Sequence, residues 1–293
     1  MATIGMEINK IYARSPDPYL QIRRKPKLEP GSLHSLDRHR IIILVHGFQN
    51  SEERATRSYE EFMDRLSDAI RPSRIDALGS FWQYHWPGDH PKRFISTVTY
   101  AARISDAREA GRLLAMFLSG MKRTQEVILI GHSLGCRVIL EAARFTRDDS
   151  SYRGAKIRKT FLLAAAVPIE MCTAGRIFDW RLEDSEEYVF WSRKDRALGR
   201  VFQTGQYLYG EPGTAVGRHG MPIDRWTPRT MRTGLGHSDY WSSFNVAQRI
   251  ATLLGRYGRR ILPEFPGDSG GSHLEERELD QRRLTERRLP IHD

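Results

Sequence analysis

The sequence lacks the features that would place it in a membrane or in a disulfide-rich scaffold. No stretch of its 293 residues approaches about 18 consecutive apolar residues, so no transmembrane helix is predicted. The N-terminus has no basic stretch followed by an apolar stretch, which argues against a standard secretory signal peptide. Cys136 and Cys172 are the only cysteines, and two isolated thiols are typical of a reducing compartment, although one disulfide between them stays open. These absences predict a cytoplasmic protein.

The formal net charge is +10, and arginine carries most of the positive side. Such a protein can attract nucleic acid, an anionic membrane surface or an anionic substrate. No helix-turn-helix, zinc-ligand spacing or RNA-binding aromatic signature accompanies the basic residues. The arginines and lysines are dispersed among Glu and Asp, which is typical of a solvated surface. Nucleic acid is therefore not expected as a partner, whereas peripheral membrane contact stays open.

Apolar runs alternate with helical patterns through the middle of the chain. Five runs predict buried strands, and four stretches repeat apolar residues at helical spacing. The predicted strands are 41–45, 80–86, 127–130, 160–167 and 187–192, and the predicted helices are 55–70, 94–121, 134–145 and 238–254. Strands that alternate with helices predict an α/β fold, with a doubly wound, mostly parallel sheet and helices on both faces. Residues 204–236 are predicted to form a long loop.

The composition changes at both ends of this region and divides the chain into three parts. Residues 1–38 are an N-terminal segment that contains material for one or two short outer strands. Residues 39–262 are the α/β domain. Residues 263–293 are dense in Glu and Arg with scattered leucines, which predicts a charged, mobile tail.

The pentapeptide Gly131-His132-Ser133-Leu134-Gly135 joins a predicted strand to a predicted helix. It fits the Gly-x-Ser-x-Gly nucleophile elbow, in which a strained turn lifts a serine hydroxyl above the edge of the sheet. Gly131 and Gly135 supply the small residues that such a turn needs on either side. Ser133 is therefore the candidate nucleophile, and the side chain of His132 is expected to point away from the cleft and to pack.

The segment His46-Gly47-Phe48 follows an earlier strand and fits the second part of an acyl-transfer site. Such chemistry needs two backbone N–H groups aimed at the developing oxyanion, one from the residue after the serine and one from the loop after an earlier strand. The predicted oxyanion-hole donors are the N–H groups of Phe48 and Leu134, with His46 and Gly47 supporting the loop. Without the elbow, His-Gly would fit a simple strand-ending turn equally well.

A serine hydroxyl becomes a strong nucleophile when a histidine held by a carboxylate takes its proton. One known order along the chain is serine, acid, histidine, which directs the search to residues after the elbow. Asp195 lies just beyond the strand 187–192 and is the candidate acid, with an N-cap of a following helix as its alternative role. Asp224 is the reserve candidate.

The candidate base is His237, which lies in the glycine-rich segment 234–240 just before a predicted helix. His219 is predicted to be a loop or substrate-lining residue. Asp239 is too close to His237 in sequence to face it, so it is predicted to cap the start of the helix or to support the site from behind.

These segments together resemble the α/β-hydrolase superfamily, and within it poorly characterised bacterial esterase/lipase-like serine hydrolases. The segments that carry the resemblance are 46–51, Trp86-Pro87, the elbow, 192–195 and 236–240. The resemblance implies hydrolysis of an ester, thioester or amide without a metal or an organic cofactor. Only about twenty residues separate Val167 from Tyr188, where a large lid domain usually lies in this superfamily, so no large lid is expected.

We therefore expect a serine hydrolase that cleaves a carboxylic ester of a small molecule or a lipid through an acyl-enzyme on Ser133. The alternative is a binding module with the same fold, whose usual sign would be a broken triad. No metal site is predicted, because the histidines and aspartate around position 89 lack a ligand spacing. Basic residues near the predicted cleft fit either a negatively charged acyl substrate or simply a soluble rim: His85, His90, Lys92, Arg93 and Arg218. The sequence does not indicate an oligomeric state.

Overall fold

The longest apolar runs of the sequence form the middle strands of an eight-stranded sheet in the computed structural model. The structure describes residues 9–16, 22–29, 36–70, 75–89, 97–173, 175–178, 185–221 and 229–255. The strands are β1 (Asn9–Arg14), β2 (Ile22–Leu28), β3 (Arg40–Val45), β4 (Ser80–His85), β5 (Glu126–His132), β6 (Lys156–Leu163), β7 (Glu186–Trp191) and β8 (Arg229–Arg232). Their order across the sheet is β2-β1-β4-β3-β5-β6-β7-β8.

Most neighbouring strands run parallel. β1 and β2 form an antiparallel pair, and the other six pairings in the described sheet are parallel. Every residue from Ile41 to Val45 is fully buried, so both faces of β3 are covered, as expected for a central parallel strand. The prediction of a mostly parallel α/β sheet is confirmed.

The register of β3 against β5 places two important loops side by side. Val45 pairs with Gly131, so both strands end at the same edge of the sheet. The loop that follows β3 begins at His46, and the elbow follows β5. Because parallel strands present their carboxyl ends at one edge, segments about 85 residues apart in sequence meet there.

Helices surround the sheet in two groups. They are α1 (Glu52–Ala69), α2 (Ile75–Leu78), α3 (Thr97–Ser119), α4 (Leu134–Asp148), α5 (Arg196–Tyr209), α6 (Val216–His219) and α7 (Phe244–Gly255), with a short 3₁₀ helix at Ile169–Cys172. α1 packs against α7, while α3 packs against α4 and α5. None of the helices in the described part of the chain is both long and apolar enough to span a membrane.

The N-terminal segment contributes the two outer strands that its sequence predicts. β1 joins the sheet beside β4, and β2 pairs with β1 at the edge. Pro26 lies in β2, and an edge strand accommodates proline because one side of its backbone needs no ladder partner. The exposed basic residues Arg24, Lys25 and Lys27 also lie on this strand, and charged residues on an edge oppose pairing with another chain.

Two predictions from the sequence are wrong for residues 204–254. Residues 204–236 are not one long loop, because they include the end of α5, the short helix α6 and β8. β8 is four residues long, Arg-Thr-Met-Arg, and has too little apolar alternation to be recognised as a strand. The last helix begins at Phe244 and not at Ser238, because residues 237–243 form turns that precede it.

The described residues all belong to one compact unit that spans residues 1–255. The tail predicted for 263–293 lies outside the described residues, and the three-part division of the chain stays a prediction.

Gly111 marks the closest packing of α3 on α4 and gives a test of this fold. A Cβ atom at Gly111 would lie 2.5 Å from the Cβ of Glu141 and 2.8 Å from the carbonyl oxygen of Val138. We expect Gly111→Ala to lower the free energy of unfolding by about 1–3 kcal/mol, although alanine is the better helix former. The matched control is Gly255→Ala at the end of α7, where nothing lies within 4 Å of the added methyl group. Urea denaturation of both variants checks this, and equal stabilities would contradict the packing.

Candidate active site

Ser133 lies in a strained turn between β5 and α4. Its φ of 54° and ψ of −123° place a non-glycine residue in a left-handed region that costs free energy. Backbone hydrogen bonds hold this turn, since the N–H of Ser133 donates to Leu163 at 2.9 Å and the N–H of Ala166 donates to the Ser133 carbonyl at 3.1 Å. Ser133 is also the N-cap of α4, yet its hydroxyl makes no capping bond. The hydroxyl is therefore available to another partner.

Three glycines let the backbone approach closely around this turn. A Cβ at Gly135 would lie 2.4 Å from the carbonyl oxygens of both Val45 and His46, and a Cβ at Gly131 would lie 2.6 Å from a methyl carbon of Ile139. A Cβ at Gly47 would lie 2.7 Å from the Cβ of Ser133. The turn and the loop after β3 are thus in direct backbone contact, and no side chain fits between them.

The hydroxyl of Ser133, the ring of His237 and the carboxylate of Asp195 form one hydrogen-bonded chain. Ser133 Oγ lies 2.9 Å from His237 Nε2, and His237 Nδ1 lies 2.7 Å from Asp195 Oδ2. Asp195 is fully buried and Ser133 is 5% exposed, so bulk water screens these contacts little. The structure thus brings together three side chains that lie 42 and 104 residues apart in sequence.

The carboxylate of Asp195 caps a helix and also contacts His237. Its Oδ1 accepts a hydrogen bond from the backbone N–H of Leu198 at 2.9 Å, so it is the N-cap of α5. Its other oxygen faces His237. Arg218 adds a third restraint, because its guanidinium donates a hydrogen bond to the backbone carbonyl of Asp195. The carboxylate is therefore fixed by the helix that it starts.

Buried aromatic residues and a local cap hold the loop that carries His237. Oδ2 of Asp239 accepts a hydrogen bond from the N–H of Gly236 at 3.0 Å, so Asp239 supports the loop and does not face the histidine ring. Tyr240 and Trp241 are buried directly after it. The hydroxyl of Thr233 also bonds to that of Tyr240 at 3.1 Å, which ties the two ends of the loop together.

His132 does more than pack behind the nucleophile. Its Nε2 lies 2.7 Å from the backbone carbonyl of His237, and the two imidazole rings lie 5.0 Å apart. Burial, followed by the nearness of His237, lowers the pKa of His132 to about 3. The ring is therefore neutral and donates its Nε2 proton to that carbonyl. Sequence reasoning missed this contact, because nothing local indicates a hydrogen bond across 105 residues.

His46 organises the loop after β3. Its Nδ1 donates to the carbonyl of Gly47 at 3.0 Å, and its Nε2 accepts from the backbone N–H of Trp86 at 3.3 Å. The Trp86 indole N–H donates in turn to the His46 carbonyl at 2.8 Å, and the two rings stack. These bonds need one neutral tautomer, and burial lowers the pKa of His46 to about 4. The Trp-Pro segment after β4 thus holds the histidine that shapes the loop.

The N–H groups of Phe48 and Leu134 lie on the two segments that meet at Ser133. Leu134 is the first residue of α4, where a helical N–H has no intrahelical acceptor. Neither N–H serves as donor in any backbone hydrogen bond within the described ranges. The next residue, Gln49, has a φ of 63° and donates to the carbonyl of Gly88 at 2.7 Å, which fixes the loop directly after Phe48. Neither N–H group thus has a backbone acceptor within the described ranges.

Other residues that the sequence singled out lie elsewhere. His85 is fully buried, its Nε2 lies 3.1 Å from the side-chain oxygen of Gln83, and burial lowers its pKa, so it offers no positive charge to an anionic acyl group. His219 is exposed and lies in α6. Residues 90–93 and Asp224 lie outside the described residues. Within the ranges that the structure describes, no group of three or more His, Cys, Asp or Glu is placed to hold a metal ion.

The profile of a family described as alpha/beta hydrolases of unknown function (DUF900) matches residues 30–206, which is more than half of the chain. The chain belongs to this family. The match includes the elbow and Asp195, whereas His237 lies beyond it. No curated protein matches the sequence significantly.

Solved structures resemble this DUF900 protein only distantly. An uncharacterised Bacillus cereus protein is 15% identical with a TM-score of 0.41, and the match covers 74% of this chain and 59% of that one. A Listeria innocua protein is 8% identical with a TM-score of 0.43, with 74% and 94% covered. A fungal esterase from Rhizomucor miehei is 13% identical with a TM-score of 0.35, with 77% and 76% covered.

The buried neutral histidines predict an acid-sensitive fold. Burial lowers the pKa of His46 to about 4 and of His85 and His132 to about 3, below the ordinary value of 6.5. The unfolded chain therefore binds more protons than the folded one below pH 6.5. The contribution of these three histidines to the free energy of unfolding is thus fully present above that pH and is lost as pH falls toward 4. Each histidine should cost roughly 1 kcal/mol at pH 5.5, so the three together should cost a few kcal/mol.

Urea denaturation at pH 7.5 and pH 5.5 measures this loss. His132→Gln should remove about one third of the pH dependence. The control is His219→Asn, which changes an exposed histidine and should leave the dependence as it is. A free energy of unfolding that stays constant between the two pH values would contradict the neutral, buried assignment.

Proposed function

We propose that this protein is a serine hydrolase that cleaves a carboxylic ester through an acyl-enzyme on Ser133. The observation that carries the proposal is the continuous hydrogen-bonded chain from Ser133 Oγ through His237 to Asp195. Those distances fall within the range in which a base takes a proton from a nucleophile. The strained elbow and the two available N–H groups support the same reaction.

The first half of the reaction forms the acyl-enzyme. His237 Nε2 takes the proton of Ser133 as its oxygen attacks the ester carbonyl carbon. Asp195 accepts the hydrogen bond from His237 Nδ1, which fixes the tautomer with Nε2 as the base and stabilises the imidazolium that forms. Collapse of the tetrahedral intermediate breaks the ester bond, and His237 returns the proton to the departing alcohol.

The second half uses the same groups with water. His237 takes a proton from a water molecule as the water oxygen attacks the acyl carbon, and it returns that proton to Ser133 Oγ when the intermediate collapses and the carboxylic acid leaves. In both halves the N–H groups of Phe48 and Leu134 donate to the oxyanion, which is the place where negative charge develops. This route requires no metal ion and no organic cofactor.

The substrate is proposed at the level of its bond. A small-molecule or lipid ester fits the chemistry, and thioesters and amides would use the same steps. Among the basic residues that suggested an anionic acyl group, Arg218 lies beside the site, because it donates a hydrogen bond to the backbone carbonyl of Asp195. Cytoplasmic location stays a prediction from the sequence.

A fluorophosphonate probe tests the proposal without knowledge of the substrate, because it reacts with activated serines. We expect the native protein to be labelled and Ser133→Ala to remain unlabelled. Removal of the base in His237→Ala, or of the carboxylate in Asp195→Asn, should slow labelling by about two to four orders of magnitude. In-gel fluorescence over time measures the rate.

Two further variants are the matched controls. His219→Ala changes a histidine outside the hydrogen-bonded chain, and Asp224→Asn changes the reserve candidate for the acid. Both variants should be labelled at the native rate. Labelling of Ser133→Ala would place the reactive group elsewhere. A folded native protein that takes no label would contradict the hydrolase and favour a binding module with the same fold.

His132 should act as a positioning residue for the base. We expect His132→Phe, which keeps a ring but loses the bond to the His237 carbonyl, to slow labelling by about 10- to 100-fold, because a small displacement of a base is costly. His132→Gln keeps a donor of similar reach and should recover most of the rate. The ratio of the two rates, measured alongside their melting temperatures, separates positioning from general destabilisation. Equal rates in equally stable variants would exclude the positioning role.

A further inference from the structure

Helix α5 has one buried face and one exposed face. Leu198, Phe202 and Gly205 are buried on its inner side, where Gly205 would contact the ring of Tyr100 if it carried a Cβ. Its exposed residues include Arg196, Arg200, Tyr207 and Leu208. Positions 196, 200 and 207 are four and seven residues apart, so they lie along one side of the helix.

The exposed side of α5 is apolar toward its C-terminal end. Tyr207 is 73% exposed and Leu208 is 53% exposed. Within the described residues the other large apolar side chains that are exposed are Ile177 at 37% and Phe244 at 42%. The two most exposed apolar side chains are thus adjacent on one helix, where they gain nothing from the fold.

The same side is cationic toward its N-terminal end. Arg196, Arg200 and Lys194, which directly precedes the N-cap, are exposed, and none of them forms an ion pair with another described residue. No acidic residue occurs between Arg196 and Tyr209. Cations at the start of a helix oppose its dipole, so these charges do not stabilise α5. Their physical effect is an outward positive potential.

The start of α5 lies at the edge of the sheet that carries Ser133. The helix starts at Asp195, which binds His237. After the helix, the N–H of Val216 donates to the carbonyl of Val167 at 2.9 Å, just beyond the end of β6. The chain leaves this edge at Asp195 and is back at it by Val216. Helix α5, which lies between these two residues, therefore starts beside the candidate active site.

We propose that the exposed side of α5 docks the protein onto an anionic lipid surface. Lipid phosphates complement the three basic residues, and the acyl region accepts the tyrosine and the leucine, which is how amphipathic interfacial helices bind. A nucleic acid would match the charge but leave the leucine exposed, and an acidic protein would need a site for both. Docking does not depend on hydrolysis, although it would bring the edge with Ser133 to the lipid.

Flotation with lipid vesicles tests the docking. The native protein should bind vesicles that contain phosphatidylserine, lose binding in high salt and bind pure phosphatidylcholine vesicles weakly. Each basic residue adds roughly a factor of five to partitioning, so Lys194→Gln/Arg196→Gln/Arg200→Gln should bind about 100-fold more weakly. Tyr207→Ser/Leu208→Ser should bind roughly tenfold more weakly, because it removes the part that enters the lipid.

The control removes the same number of positive charges from β2, an edge strand of the sheet. Arg24→Gln/Lys25→Gln/Lys27→Gln on β2 should bind vesicles as the native protein does. Equal loss in this control and in the α5 variant would reduce the effect to net charge and overturn the proposal. A native protein that does not bind the anionic vesicles would also overturn the proposal. The same holds for a native protein that self-associates instead and stops doing so when Tyr207 and Leu208 are replaced.

Fluorophosphonate labelling of the same samples separates the two proposals. The α5 variants should keep native labelling rates, which also shows that they are folded. A native protein that is labelled but does not float with vesicles overturns the docking alone. A native protein that floats but takes no label overturns the hydrolase alone.

Discussion

Direct backbone contact between the elbow and the loop after β3 is the constraint on which the site depends. Gly47 and Gly135 leave no room for a side chain at this contact, and the register of β3 against β5 brings the two loops together. The strained conformation of Ser133 persists because surrounding backbone hydrogen bonds fix it. A rigid sheet of buried parallel strands provides the support that such a turn needs, since packed interiors resist small displacements.

Asp195 couples this edge of the sheet to the helix beside it. One carboxylate oxygen caps α5 and the other faces His237, so the orientation of the helix and the orientation of the ring depend on the same group. At its far end α5 is fastened again, because Arg137 of α4 binds Glu211 through both guanidinium nitrogens. Arg137 is 1% exposed, so separation from the partly exposed Glu211 would cost its buried guanidinium a charged hydrogen-bond partner.

Sequence patterns predicted the central strands and the three side chains of the hydrogen-bonded chain, because both depend on strong local signals. Continuous β-branched runs indicated β3 and β5, and a glycine-flanked serine between a strand and a helix indicated the elbow. Patterns failed at β8, which is short and polar, and at the start of α7, where Tyr240 and Trp241 are buried in turns and mimic helical spacing. The contact of His132 with His237 was invisible for another reason, since it exists only after the two loops have met.

The histidines around the candidate base are kept neutral by burial, and this has an electrostatic consequence. His46 and His132 each donate a hydrogen bond from a ring N–H to a backbone carbonyl, and a neutral ring is sufficient for this. If either ring were protonated, it would oppose the imidazolium that the proposed reaction forms on His237, because like charges in a poorly screened site repel strongly. Burial makes protonation of these two rings costly, so neither adds a positive charge that would oppose the proposed imidazolium. The same desolvation that makes the fold acid-sensitive therefore favours the charge separation on which the proposed chemistry depends.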